Sequence, residues 1–300
     1  MSHLFPRANR KFPSIWLSLT PPDHPFGNWR EDLVGACASS GAVVDVTHST
    51  GLWGDLLPRD GVDLMVCVGR NTIHSTSASH AADLVQADLV QVLSCLGGRR
   101  PLFVFWNVIG PHEDFQIEGA LAGFEEARQD EIFRHLGLNV AGPALAAIAL
   151  WQFNDAFDAV LVANNPLDRA AFEDVSALAN QRGAGVVVKD SVQWRGGTSF
   201  ADMPSVRTLP NSVNLEEPVV AHYMCNSPVL VPVNEAASVA RWLALKPAPI
   251  PEFDAVMGPF ADAYRNAANW EALASGLDPA MSARAAVVLE TADWLDREFA

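Results

Sequence analysis

Lysine and tyrosine are the scarcest chemistry-bearing residues of this 300-residue chain. The only lysines are Lys11, Lys189 and Lys246, and the only tyrosines are Tyr223 and Tyr264. A mechanism that needs a lysine–tyrosine pair in the first two hundred residues is thereby excluded. Cysteine is sparse as well, and Cys37, Cys67, Cys95 and Cys225 show no CxxC spacing. They read as reduced thiols of a cytoplasmic protein, not as a disulfide framework or a zinc site. Long apolar runs are missing, the stretch 144–151 being among the longest, which excludes a bilayer-spanning helix. No apolar stretch with a small-residue cleavage site follows Arg7, Arg10 and Lys11, so no secretory leader is expected. An excess of base is also missing. Thirty-five acids against 20 bases give a net charge of −15, a field that repels phosphate backbones. Nucleic acid and membrane are thus set aside as partners. A small-molecule substrate remains, and the oligomeric state stays open.

What the chain has in quantity is apolar residues, 49% of it, in short runs separated by helical patterns. Eight runs read as strands: Ser14–Leu19, Ala42–Val46, Val62–Val68, Pro101–Trp106, Phe133–Leu138, Phe157–Ala163, Ala184–Lys189 and Val229–Val233. Continuous apolar runs of this length suit strands buried on both faces of a parallel sheet. Helical patterns cover the segments from Asn28 to Gly41, Asp83 to Leu96, Ile117 to Ala127, Pro143 to Gln152, Ala170 to Gln181 and Leu215 to Asn226. The segment from Thr47 to Gly61 is turn-rich, and the one from Arg195 to Asn214 reads as a polar loop. No GxGxxG follows the first strand, which disfavours a doubly wound dinucleotide fold. The expectation is an α/β protein, a closed (β/α)8 TIM barrel over residues 1–245. A stiff Lys-Pro-Ala-Pro-Ile-Pro connector then leads into a C-terminal helical extension, 246–300, packed on the barrel.

Five fragments, in order along the chain, carry a family resemblance. They are Ala38–Asp45, Glu126–Asn139, Phe157–Arg169, Leu178–Asp190 and Ser227–Val233. Together they resemble the aldo/keto reductases over residues 14–245. The resemblance implies a (β/α)8 barrel with its pocket at the C-terminal strand ends. It also implies carbonyl reduction by NADPH, using an aspartate, a tyrosine, a lysine and a histidine. Carried over residue by residue, the aspartate is Asp45, but the tyrosine falls on Thr50, the lysine on Cys67 and the histidine on Asn107. Threonine is a far weaker acid than tyrosine, and cysteine supplies no cation. The positions that would contact nicotinamide read Asn139-Val140, Leu161 and Asn164. The loop that would take the 2′-phosphate holds Glu235 and a single base, Arg241. The reductase machinery is therefore degenerate, and no cofactor is expected.

Polar residues remain at the expected mouth: Asp45, His48, Thr50, Arg70, Asn71, His74, Asn107, His112, Glu113, Asp114, Asn139, Asn164, Lys189, Asp190, Gln193 and Trp194. Asp45 is either a general acid/base or a structural carboxylate held by backbone amides or Arg70. His48, three residues on, is either the proton shuttle or a solvated loop histidine. His112 with Glu113 and Asp114 is either a base with its orienting acids or the cap of the following helix. Lys189 anchors a substrate group or forms a Schiff base. Cys67, inside an apolar run, reads as inert core. Trp53, Trp106 and Trp194 could wall a substrate. His48, His74 and His112 lack a tight metal motif, so no metal is expected. The catalytic pair is taken as Asp45 and His48. Thr50, Arg70, Asn107, His112, Asn139, Asn164, Lys189 and Trp194 are taken as substrate contacts. The expected function is cofactor-independent acid/base chemistry of the dehydratase, isomerase or lyase type. NADPH-dependent reduction with rearranged residues and a non-catalytic binding subunit are the alternatives.

Overall fold

The computed structural model describes residues 2–22, 27–165, 169–191, 216–253 and the backbone of two short strands, β10 (Gln193–Trp194) and β11 (Thr198–Ser199). Eight parallel strands close into a barrel: β3 (Ile15–Leu19), β4 (Val43–Asp45), β5 (Asp63–Val68), β6 (Phe103–Val108), β7 (His135–Val140), β8 (Ala159–Ala163), β9 (Gly185–Lys189) and β12 (Val229–Val233). Register is continuous around the ring, and β12 closes it by pairing Val229–Val233 with Ile15–Leu19. The eight runs picked out by composition are these eight strands. Helices α1 (Trp29–Ala38), α3 (Ala78–Cys95), α4 (Asp114–Gln129), α5 (Ala144–Phe153), α6 (Ala170–Gln181), α7 (Glu216–Tyr223) and α8 (Ala236–Leu243) lie between or after them. The turn-rich segment after β4 holds only a single-turn α2 (Thr50–Trp53).

Local sequence accounts for several boundaries that differ from the expected ones. Helix α3 begins five residues before Asp83, because Ser77 Oγ accepts the His80 N–H at 3.1 Å and caps it. Helix α4 begins at Asp114, where Gln116 Oε1 accepts the Glu113 N–H at 2.9 Å. Asn28 precedes α1 without a side-chain cap. The segment after β12, read as a loop, is helix α8. The segment 200–215 and the two helical patterns after residue 254 lie outside the described residues. The start of the C-terminal extension returns to α7, where Phe253 stacks on His222 with centroids 4.0 Å apart.

Strand side chains alternate between two cores. Outward residues such as Leu17, Val44, Val66, Trp106 and Val188 pack under the helices. Trp106 belongs there, against Phe124 and Phe157, so it does not wall the mouth. Inward residues fill the barrel. Its lower half is aromatic, with Phe5, Phe12, Trp16, Phe103 and Phe105 in mutual contact. Phe5 and Phe12 come from an N-terminal hairpin, β1 (Ser2–Phe5) with β2 (Arg10–Pro13), which sequence patterning did not reveal. The plug needs glycine around it. A Cβ on Gly137 would overlap the Phe105 ring, and one on Gly185 the Phe5 ring. Among the described residues no helix is long and apolar enough to cross a membrane.

Phe12 is fully buried at the centre of this plug. Phe12→Ala is expected to cost about 3–5 kcal/mol of unfolding free energy. Chemical denaturation of the two proteins measures it, and an unchanged midpoint would remove the hairpin from the barrel core.

Candidate active site

The upper half of the barrel is polar because the same inward register continues past the aromatic layer. Two residues above Trp16 stands Ser18; above Val43, Asp45; above Met65, Cys67; above Phe105, Asn107; above Gly137, Asn139; and above Val187, Lys189. These six line one cavity of about 250 Å³, together with Thr20, Thr47, His48, Ala141, Leu161, Asp190, Ser191, Leu230 and Pro232. Asp45, His48, Asn107, Asn139 and Lys189 are thus brought together as expected.

Asp45 is buried and accepts three hydrogen bonds. Ser18 Oγ donates to Oδ2 at 2.8 Å, while the Thr47 N–H and Oγ1 donate to Oδ1 at 2.9 and 2.6 Å. Thr47 Oγ1 in turn accepts the Cys67 N–H at 2.8 Å, tying β4 to β5. His48 is exposed on the loop above, and Trp53 Nε1 donates to its carbonyl at 2.7 Å. The fully buried Trp53 therefore supports the loop from beneath and does not face the cavity.

On the facing wall, Lys189 Nζ donates to Asn139 Oδ1 at 2.8 Å. Asn139 Nδ2 donates to Asn107 Oδ1 at 2.9 Å. An ammonium has only donors, so Asn139 must turn its oxygen to Lys189 and its nitrogen to Asn107. Asp190 Oδ2 lies 4.0 Å from Nζ, at a backbone φ of 52°. Between the two walls, burial pushes the Cys67 thiol up to about 12, the Asp45 charge adds to the rise, and Lys189 opposes it.

Other expected contacts are placed elsewhere. Thr50 Oγ1 donates to the Val46 carbonyl at 2.8 Å, a helix-start bond that takes it out of the lining. His112 is held by the Gly110 carbonyl and Thr72 Oγ1, both at 3.0 Å, and burial lowers its pKa. It lines an outer groove with Ile117, Leu121 and Leu150 of α4 and α5. Glu113 and Asp114 open α4, so that run is a helix cap. Arg70, on a 3-10 turn (Arg70–His74), is not a lining residue. Asn164 donates its N–H to the Lys189 carbonyl, but its buried side chain does not reach the lining, and Oδ1 has no partner. Trp194 pairs with Thr198 through its backbone, and its side chain lies outside the described residues. Ser18, Thr47 and Ser191 were not singled out from the sequence. Each stands two residues from a noted one or on the same inward face, so period-two spacing was the available signal. Among the described residues no group of three or more His, Cys, Asp or Glu could hold a metal ion.

No protein-family model matches the sequence, and neither does any curated protein. Solved structures do match in shape. An aldo-keto reductase, MGS-M4, from a Medee basin deep-sea metagenome library superposes with a TM-score of 0.65 at 9% identity, over 88% of this chain and 94% of that one. An aldo/keto reductase of Klebsiella pneumoniae, in complex with NADP and acetate, gives 0.63 at 13%, over 85% and 93%. A Bombyx mori aldo-keto reductase in complex with NADP gives 0.60 at 16%, over 84% and 90%. The chain has the aldo-keto reductase fold. At these identities the likeness is one of fold, and the chemistry must be argued from this aldo-keto reductase-like barrel's own residues.

On the inward face of β5, Cys67 carries a thiol that stays protonated. An ordinary cysteine is roughly a quarter ionised at pH 8, whereas a thiol near 12 is ionised in about one molecule in ten thousand. Cys67, and Cys37, which burial also raises to about 12, should therefore alkylate about a thousandfold more slowly in the folded protein than after denaturation. Iodoacetamide labelling at pH 8 with peptide mapping tests this. Rapid native labelling of Cys67 would make it a nucleophile.

Proposed function

We propose that this barrel is an enzyme that moves protons on a small metabolite without a nicotinamide cofactor, in a dehydration, isomerisation or lyase reaction. The observation that carries the reading is the lining itself. A carboxylate and an imidazole, Asp45 and His48, stand on one side of a small cavity, with a cation and two amides, Lys189, Asn139 and Asn107, on the other. His48 is the exchanging group, exposed to take and release protons. Asp45 accepts the proton inside the cavity through Oδ2, which holds a single hydrogen bond. Lys189 and Asn107 orient the substrate and stabilise negative charge that develops as a proton leaves.

The described residues do not fit NADP at the positions to which the resemblance assigns it. Leu161 offers a nicotinamide amide no polar group. The Asn139 side chain is engaged by Lys189 and Asn107, and that of Asn164 is outside the lining. Arg241 is paired with Glu216 and Glu217 at 3.0 and 3.6 Å and stacked on Trp242. Glu235 stands at the α8 N-terminus, where it would meet a phosphate with like charge. NADPH-dependent reduction is the second reading. It rests on the shared fold and on the NADP held by two of the structural neighbours.

In D2O, with no cofactor added, wild-type protein is expected to exchange C–H protons or form product with a panel of short hydroxy and oxo compounds. His48→Ala should slow this by ~10²–10⁴-fold. Its melting temperature should stay within a few degrees, since an exposed side chain is removed. NMR follows both reaction and exchange. Equal rates in the two proteins, or turnover that starts only when NADPH is supplied, would contradict the reading.

A further inference from the structure

The lysine wall has hydrogen-bond capacity that the protein leaves unused. Lys189 Nζ has three protons and donates one to Asn139 at 2.8 Å, while Asp190 Oδ2, at 4.0 Å, is beyond hydrogen-bond reach. Because Asn107 must present Oδ1 to Asn139, its amide N–H2 group is turned away from the relay, and it has no partner among the described residues. Ser191 lines the same cavity, is 2% exposed, and its Oγ has no hydrogen-bond partner. A buried unpaired hydroxyl is costly unless something occupies the site that it faces. One cation and two neutral donors lining one cavity suit a single planar anion.

The opposite wall limits which anion enters. Asp45 faces the cavity there and Asp190 lies 4.0 Å from Lys189 Nζ, so among the described lining residues two carboxylates stand against one fixed cation, Lys189, and one imidazole, His48. A dianion would be repelled by that balance, whereas a monoanion with a hydrogen-bond donor at its far end satisfies both walls. Asp45 Oδ2, which holds only the Ser18 bond, is the acceptor for that donor. The volume of about 250 Å³ restricts the ligand to a short molecule. We propose that Lys189, Asn107 and Ser191 bind the carboxylate of a short hydroxy acid whose hydroxyl lies toward Asp45 and His48. The inference rests on the proton-transfer reading only for the identity of the pocket.

Calorimetric titration of the full chain with lactate, lactamide and inorganic phosphate tests it. Lactate should bind saturably and at least about tenfold more tightly than lactamide or phosphate. Lys189→Gln should remove that preference. Ser191→Ala should weaken lactate by roughly three- to tenfold while leaving the melting temperature equal or higher, since it deletes a hydroxyl that no protein group satisfies. This second variant decides the matter if Lys189→Gln does not fold. Equal affinity for lactate and lactamide, no saturable lactate binding, tighter phosphate binding, or full lactate affinity in Ser191→Ala would overturn the proposal. Lactate binding with no proton exchange on any panel compound would leave the subsite standing and remove the proposed function. Exchange on compounds lacking a carboxylate, without lactate binding, would do the reverse.

Discussion

The residue pairs that join β12 to β3 close the barrel, and closure fixes the inward direction of every second strand residue. An open sheet could slip in register and turn its polar ends outward. In the closed ring, Trp16 cannot point inward without Ser18 doing so one layer higher, and Val43 carries Asp45 with it in the same way. The aromatic plug from the N-terminal hairpin then fills the lower half, and the cavity lies among the polar residues of the upper half. Packing at one end and the site at the other are two consequences of one register.

Within that layer, charge is separated across the mouth. Asp45 is held by two hydroxyls and a backbone amide, and Lys189 by the Asn139 amide with Asp190 Oδ2 4.0 Å away, so neither is the other's direct partner. The aldo-keto reductase resemblance leads one to look for a lysine on β5 beside the aspartate. Here a lysine reaches the cavity from β9 instead, and the β5 position is a protonated thiol between the two charges. On the proposed reading, a lysine on β9 would hold an anion where the resemblance implies one on β5 that acidifies a tyrosine. The absence of any tyrosine before residue 223 is consistent with that exchange.

Much of this was legible in the sequence. Strands with both faces buried announce themselves as continuous Val- and Leu-rich runs, and all eight were found. Asp45, Asn107, Asn139 and Lys189 could be placed at the mouth because each ends such a run. Residues beyond a strand end were harder, since a loop has no period. Thr50 and His112 proved to serve local caps and turn bonds, a use of polar side chains that competes with function wherever helices begin. The hairpin plug escaped notice because β1 and β2 have four residues each, with charged Arg10 and Lys11 beside Phe12. The direction of each Asn amide could not be read at all from the sequence. It follows from a lysine contact that joins positions 50 residues apart.

The central claim is that this aldo-keto reductase-like barrel has exchanged nicotinamide chemistry for proton transfer. The most direct test is a fluorescence titration of the full chain with NADPH. Each missing cofactor contact should weaken binding by about 1 kcal/mol or more, so the account predicts no saturable binding below about 100 μM. Saturable binding at micromolar concentration or tighter would contradict it and return the barrel to the reductases.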